Sequence, residues 1–168
     1  IGGVQQDLAD ENDLIDAVFN QTPFYAESGG QVADSGRIFN DKMDATIEDV
    51  QKIGDLFVHK LKILKGKISS GDLVQLEVDP LTRNKISSNH SATHIMHQAL
   101  KDVLGSHVNQ RGSLNSAERI RFDFSHNKPL SPMDITLVEE IVNEKIVQNS
   151  IVSTRLMDLD DAKKLGAQ

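Results

Sequence analysis

The sequence contains no cysteine. That absence excludes a disulfide framework and thiolate metal ligands, so any metal held by these residues must sit on histidine or carboxylate. No apolar run approaches the ~18 residues that a membrane-spanning helix needs, and no charged segment followed by a short apolar core marks a secretory leader. We therefore expect a cytoplasmic protein with no membrane partner. Positive charge is also scarce, with 18 Lys and Arg against 25 Asp and Glu and a formal net charge of −7. The overall field repels phosphates, which argues against a DNA-binding protein and confines any RNA contact to a local patch. The clearest local patch is His59 to Lys67, which carries four lysines and no acid. It suits either an RNA contact or the protection of an exposed sheet edge. A hydrophobic content of 38% over 168 residues still supplies an ordinary core, in one domain or two small ones. The sequence opens at Ile1 without a methionine and stops at Leu165-Gly166-Ala167-Gln168 as a short helical pattern ends, which reads as a piece of a longer polypeptide.

Three of the six histidines fall within Asn89-His90-Ser91-Ala92-Thr93-His94-Ile95-Met96-His97. At helical spacing His90, His94, His97 and Lys101 form one stripe, and Ala92, Ile95, Met96, Ala99, Leu100 and Val103 cover the opposite side. The pattern predicts a helix with one packed face and one face toward a cleft or water. Histidines at i and i+4 can converge on a single metal ion; otherwise they are simply solvated. A zincin protease requires a glutamate directly after the first histidine, and Ser91 stands there.

Elsewhere the period changes along the chain. Leu14 to Phe19, Thr46 to Val50, Leu56 to His59 and Leu73 to Val78 read as strands, with turns at Gly54-Asp55 and Ser70-Gly71-Asp72. Between them Thr22 to Ile38 holds a proline, two aromatics and three glycines, the composition of a tight, shaped loop. These short strands predict a β-barrel-like domain over residues 1–80, closed by Asp79-Pro80. Beyond it, helical spacing runs from Thr82 or Ser88 to Leu104 with Gly105 as its cap. Val108 to Leu114 reads as a strand carrying Gln110. Arg119 to Phe124 alternates, with Ile120, Phe122 and Phe124 on one face. Ser131-Pro132-Met133-Asp134 starts a second helix, lined by Ile135, Val138, Val142 and Ile146. Ile151 to Leu156 reads as a further strand, and Asp158 as the cap of a short helix ending at Gly166. The fold class expected is α+β, with helices packed on an antiparallel sheet over residues 81–168.

Three blocks together resemble one known family. They are Thr22-Pro23-Phe24-Tyr25-Ala26-Glu27-Ser28-Gly29-Gly30-Gln31, then Asn89-His90-Ser91-Ala92-Thr93-His94, then His107-Val108-Asn109-Gln110-Arg111-Gly112-Ser113-Leu114 with Arg121-Phe122-Asp123-Phe124-Ser125-His126. In order and spacing the chain resembles the editing region of the alanyl-tRNA synthetases, shared with free-standing alanyl-tRNA editing proteins and, more distantly, with the editing domain of threonyl-tRNA synthetase. The resemblance implies hydrolysis of mischarged Ser-tRNA(Ala) and Gly-tRNA(Ala), with the tRNA(Ala) acceptor end as partner. It also implies that residues 81–168 form the deacylase domain. Zinc in the family is held by a His-x-x-x-His pair, matched by His90 and His94, and by a later Cys-x-x-x-His pair that has no counterpart here. The family's pocket glutamine matches Gln110, implying a catalytic or substrate-binding role, and Gly29, Gly30 and Gln31 would lie over the same cleft as substrate-binding residues. ATP would belong only to the aminoacylation part of a parent synthetase. His97 and His126 are expected to be structural or solvated, and Arg121 and Asp123 to pair with each other or meet the tRNA end. The alternative readings are a free-standing editing protein and a non-catalytic RNA-docking or metal-binding module on the same fold.

Overall fold

The computed structural model describes residues 6–153 and 155–166. Along them run β1 (Leu8–Ala9), β2 (Leu14–Val18), β3 (Gly36–Phe39), β4 (Met43–Ile53), β5 (Leu56–Gly66), β6 (Ile68–Ser69), β7 (Gln75–Val78), α1 (Pro80–Leu104), β8 (Gln110–Asn115), β9 (Ile120–Phe124), α2 (Pro132–Gln148) and α3 (Leu159–Lys164). The class is α+β.

The first half is built on the long hairpin β4–β5. Met43, Ala45 and Ile47 alternate inward along β4, and then the buried position slips to Val50. A β-bulge accounts for the slip: Ile47 pairs with Leu61 and Asp49 with Lys60, so Glu48 is the extra residue that restores the phase. Across from them His59, Leu61 and Ile63 are wholly buried on β5. Each such aliphatic side chain stabilises the fold by roughly 1.5–3 kcal/mol.

The hairpin extends into a five-stranded antiparallel sheet of order β2-β5-β4-β3-β7. Because β2 and β7 are its two edges and do not pair, the sheet does not close, and the barrel expected for residues 1–80 is corrected to an open sheet. Closure is unnecessary because Phe24, from the loop between β2 and β3, is 3% exposed and joins Ala26 in the core cluster. A loop aromatic thus fills the face that a closed barrel would cover with its own strands. Edge protection does not explain the lysines of His59 to Lys67 either, since β5 is an interior strand. Register sets Lys60 beside Asp16 and Asp49, and Lys65 beside Asp44, while Lys67 pairs with Asp10 at 2.6 Å.

Asp79 and Pro80 open α1 rather than closing the preceding sheet. The Asp79 carboxylate accepts from the backbone N–H of Leu81 and Thr82 and from the Thr82 hydroxyl, and Pro80 occupies the first turn, where no N–H is required. The helix therefore begins earlier than the histidine periodicity indicates. It buries Ile86, Thr93, Ala99 and Leu100 and ends at Gly105. Ala99 and Leu100 pack with Val108 and Val138, flanked by Phe122 and Phe124 from the inner face of the β8–β9 hairpin. α2 starts at the expected capping box, with Ser131 and Asp134 exchanging hydrogen bonds. Its stripe is only half used, because Val138 is buried whereas Ile135 and Ile146 are 45% and 51% exposed. The strand expected at Ile151 to Leu156 is absent among the described residues; Ile151 and Leu156 stand 97% and 99% exposed. Without an apolar partner layer, a short run of strand-forming residues does not make a strand. Asp158 takes the N-cap position of α3 but makes no side-chain cap bond.

Candidate functional site

α1 carries His90 and His94 one turn apart, and their rings stack with centroids 5.0 Å apart. The two Nε2 atoms are 3.0 Å from each other. Two nitrogens on one tetrahedral zinc at Zn–N lengths of about 2.0–2.1 Å lie about 3.3 Å apart, so the pair fits one metal ion with little adjustment. His90 is half-buried and turns Nδ1 to the side-chain oxygen of Gln31, at 2.6 Å. An oxygen acceptor there requires the proton on Nδ1 and leaves the Nε2 lone pair directed at His94. Burial first, and the neighbouring His94 second, push the His90 imidazolium below the ordinary histidine range, which favours the neutral ring that a metal needs. The set is incomplete as a metal centre, because no group of three or more His, Cys, Asp or Glu positioned for a metal occurs among the described residues.

The loop carrying Gly29, Gly30 and Gln31 is fixed at two ends. At one end its backbone lies against β8: Asn115 N–H donates to Gly30 O at 2.7 Å, and Val32 N–H donates to Asn115 O at 3.1 Å. Gly30 has φ +83°, and a Cβ there would fall 2.5 Å from Ser113 O, so this position requires glycine on both conformational and steric grounds. At the other end Asp34, 3% exposed, accepts from Tyr25 N–H at 2.7 Å and pairs with Arg83 in the first turn of α1. Arg83 also donates to Pro23 O at 2.7 Å. The loop, the end of the β4–β5 hairpin and α1 together line a cleft of about 880 Å³, with Tyr25, Glu27, Gln31, Phe57, Arg83, Ser87 and His90 among its walls.

Of the residues expected at the site, His90, His94 and Gln31 come together and Gly30 supports them. Gly29 is exposed, with no atom within 4 Å of where its Cβ would be. Gln110 is exposed at the head of β8, opposite Phe124, and is not among the residues lining the cleft. His97 leans on Phe122 with centroids 5.0 Å apart. His126 stacks on His107 and shares a 2.9 Å hydrogen bond with it, so both histidines are held by packing. Arg121 pairs with Asp123 at 3.2 Å. The clamp residues Asp34, Arg83 and Asn115 were not expected. Asp34 lies just beyond the Gly-Gly-Gln block, but nothing local in sequence connects it with Arg83.

Residues 3–82 match the family model for class II tRNA synthetases (A). The chain is 49% identical over 166 residues to the alanine-tRNA ligase of Ruegeria sp. (strain TM1040), 50% over 166 to that of Mesorhizobium japonicum and 50% over 167 to that of Cereibacter sphaeroides. These alignments cover 99%, 98% and 99% of the chain and 19% of each relative. The class is thus that of the aminoacyl-tRNA synthetases. Within it, the chain belongs to the alanyl-tRNA synthetases, as a region spanning about a fifth of the length of these relatives.

Proposed function

We propose that this region carries the editing activity of its parent synthetase, hydrolysing the ester of Ser-tRNA(Ala) and Gly-tRNA(Ala). The observation that supports the reading is the His90–His94 pair, its Nε2 atoms 3.0 Å apart, beside an open cleft. The need for such a site follows from affinity limits. A pocket for alanine has no size barrier against glycine and gains only modest discrimination against serine, which merely adds a hydroxyl. An editing pocket that hydrogen-bonds the serine hydroxyl spares alanine, because its polar groups would be left unpaired.

In this reading His90 and His94 are two ligands of a zinc ion whose remaining ligands lie outside the chain. The metal, when bound, would supply an acidified water or a Lewis acid for the ester carbonyl. The chain's own residues orient and enclose: Gln31, from the Gly29-Gly30-Gln31 loop, walls the cleft, and Gln110, a neutral donor and acceptor at the head of β8, takes a positioning role from outside the cleft lining rather than accepting a proton. The tRNA(Ala) acceptor end is the proposed partner. ATP is proposed for the aminoacylation part of the parent and not for this region.

Deacylation of Ser-tRNA(Ala) by the full-length synthetase, measured with and without chelator, tests the reading. Loss of deacylation in a His90→Ala/His94→Ala variant with aminoacylation retained is expected. Full deacylation in that variant would leave only a docking role for this region. In the same assay Gln110→Ala is expected to slow deacylation, and an unchanged rate would remove Gln110 from the site.

A further inference from the structure

We propose that Gln31 acts through His90 as a positioning residue: it fixes the imidazole with its proton on Nδ1 and so keeps Nε2 bare and aimed at the point shared with His94. This rests on the reading of His90 and His94 as metal ligands and adds to it the device that prepares one of them. The 2.6 Å contact is from His90 Nδ1 to a carbonyl-type oxygen, which has no proton to give. A neutral histidine has one N–H. Placing it on Nδ1 removes it from Nε2, the atom 3.0 Å from its neighbour on His94. Metal-bound histidines are commonly oriented by such an acceptor on the other ring nitrogen, and losing it typically weakens metal binding about 10- to 100-fold.

The lock is stiff because the backbone of Gln31 has nowhere to go. Its N–H donates to Ser28 O at 2.9 Å, its carbonyl accepts from Ser28 N–H at 3.2 Å, and it bridges to Asn115 in parallel. The preceding Gly30 is pressed onto Ser113. The Gly-Gly-Gln turn therefore sets a ring 59 residues further along the chain, and a methyl added at Gly30 should release that ring without touching it.

The test uses the chain labelled with 15N-histidine, with long-range 1H–15N spectra recorded near pH ~8.5, where the rings are neutral. Amide dispersion serves as the folding control. His90 is expected as the Nδ1–H form in the wild type and in Gln31→Glu, which keeps an acceptor oxygen. In Gln31→Ala and Gly30→Ala it should revert toward the Nε2–H form. Zn²⁺ titrated into the same samples and followed on the His90 and His94 signals should bind about tenfold or more weakly in Gln31→Ala. An Nε2–H His90 in the wild type, or a tautomer unmoved by Gln31→Ala, would overturn the proposal. So would a shifted tautomer with unchanged zinc affinity, since the lock would then not serve the metal. Zinc shifts at His94 undiminished by His90→Ala would overturn the metal reading itself, which separates its failure from that of the lock.

Discussion

Around β4 and β5, Ile38, Ala45, Val50, Leu61 and Ile63 are wholly buried, whereas on α2 only Val138 is buried and Met133, Ile135, Leu137, Ile146 and Val147 all lie 40% or more exposed. The two regions have comparable apolar content along their elements but differ in how it is used. The open sheet completes its core with a loop aromatic. The helical region packs α2 on α1 and α1 on a two-stranded hairpin, and it leaves one helix face uncovered among the described residues. The candidate site draws on both: the histidines come from α1, and the loop that orients one of them emerges from the sheet and docks on β8. A site at such a seam depends on the alignment of the two regions more than on the stability of either.

The largest expected effect tests the core of the sheet. Leu61→Ala should cost about 2–5 kcal/mol, the usual range for a large buried aliphatic, while Val138→Ala should cost about 1–2 kcal/mol, from two lost methyl groups in a looser setting. Equal costs in denaturant unfolding would erase the contrast. Next, Arg83→Met strips the partner from the buried Asp34 and should cost about 3 kcal/mol, the low end for a broken buried pair because Arg83 is half-exposed. Asp34→Asn with Arg83 retained should cost less, and the reverse order would show that the buried charge is not what matters.

A pH titration of stability sharpens the comparison further. His59 is wholly buried, accepting from the Thr22 hydroxyl at 2.7 Å with its other nitrogen 3.3 Å from Ala17 O. Burial pushes its pKa below the ordinary histidine value. In the window between the folded and unfolded pKa the unfolded chain binds more protons, so stability is full above about pH 6.5 and falls as pH drops through the folded value. His90 and His97, also depressed chiefly by burial, act with the same sign. The expected result is a shallower fall in His59→Gln than in the wild type; parallel curves would exclude His59 as the acid-sensitive group. The smallest effect belongs to the exposed stretch after α2, where Leu156→Ser should change stability by no more than about 0.5 kcal/mol. A larger loss in thermal unfolding would mean that Leu156 is covered in solution.

Local pattern made much of this legible from sequence. Alternation marks β7 and β9, apolar and β-branched content marks β2 and parts of β4 and β5, and Ser131-Pro132 with Asp134 marks the start of α2. The histidine spacing places two rings on one turn of α1. Sheet closure was not legible, because it depends on whether β2 meets β7, a long-range pairing on which periodicity is silent. Asp79-Pro80 was ambiguous, since the same dipeptide ends a strand and starts a helix. Arg83 and Asp34 lie 49 residues apart, and their pairing follows only once α1 is laid along the loop.

One helix, α1, holds both the clamp and the histidines, and this gives the region a strict helical phase. Arg83 and His90 are seven residues apart, so at about 100° per residue they point within roughly 20° of each other, two turns and about 10.5 Å along the axis. Gln31 and Asp34, three residues apart on the loop, meet these two positions. A single inserted residue between Arg83 and His90 would swing the histidines about 100° away from Gln31 even if the helix stayed intact, whereas a seven-residue insertion would restore their bearing but carry them beyond its reach. Spacing along α1 is therefore as much a part of the site as the side chains it presents.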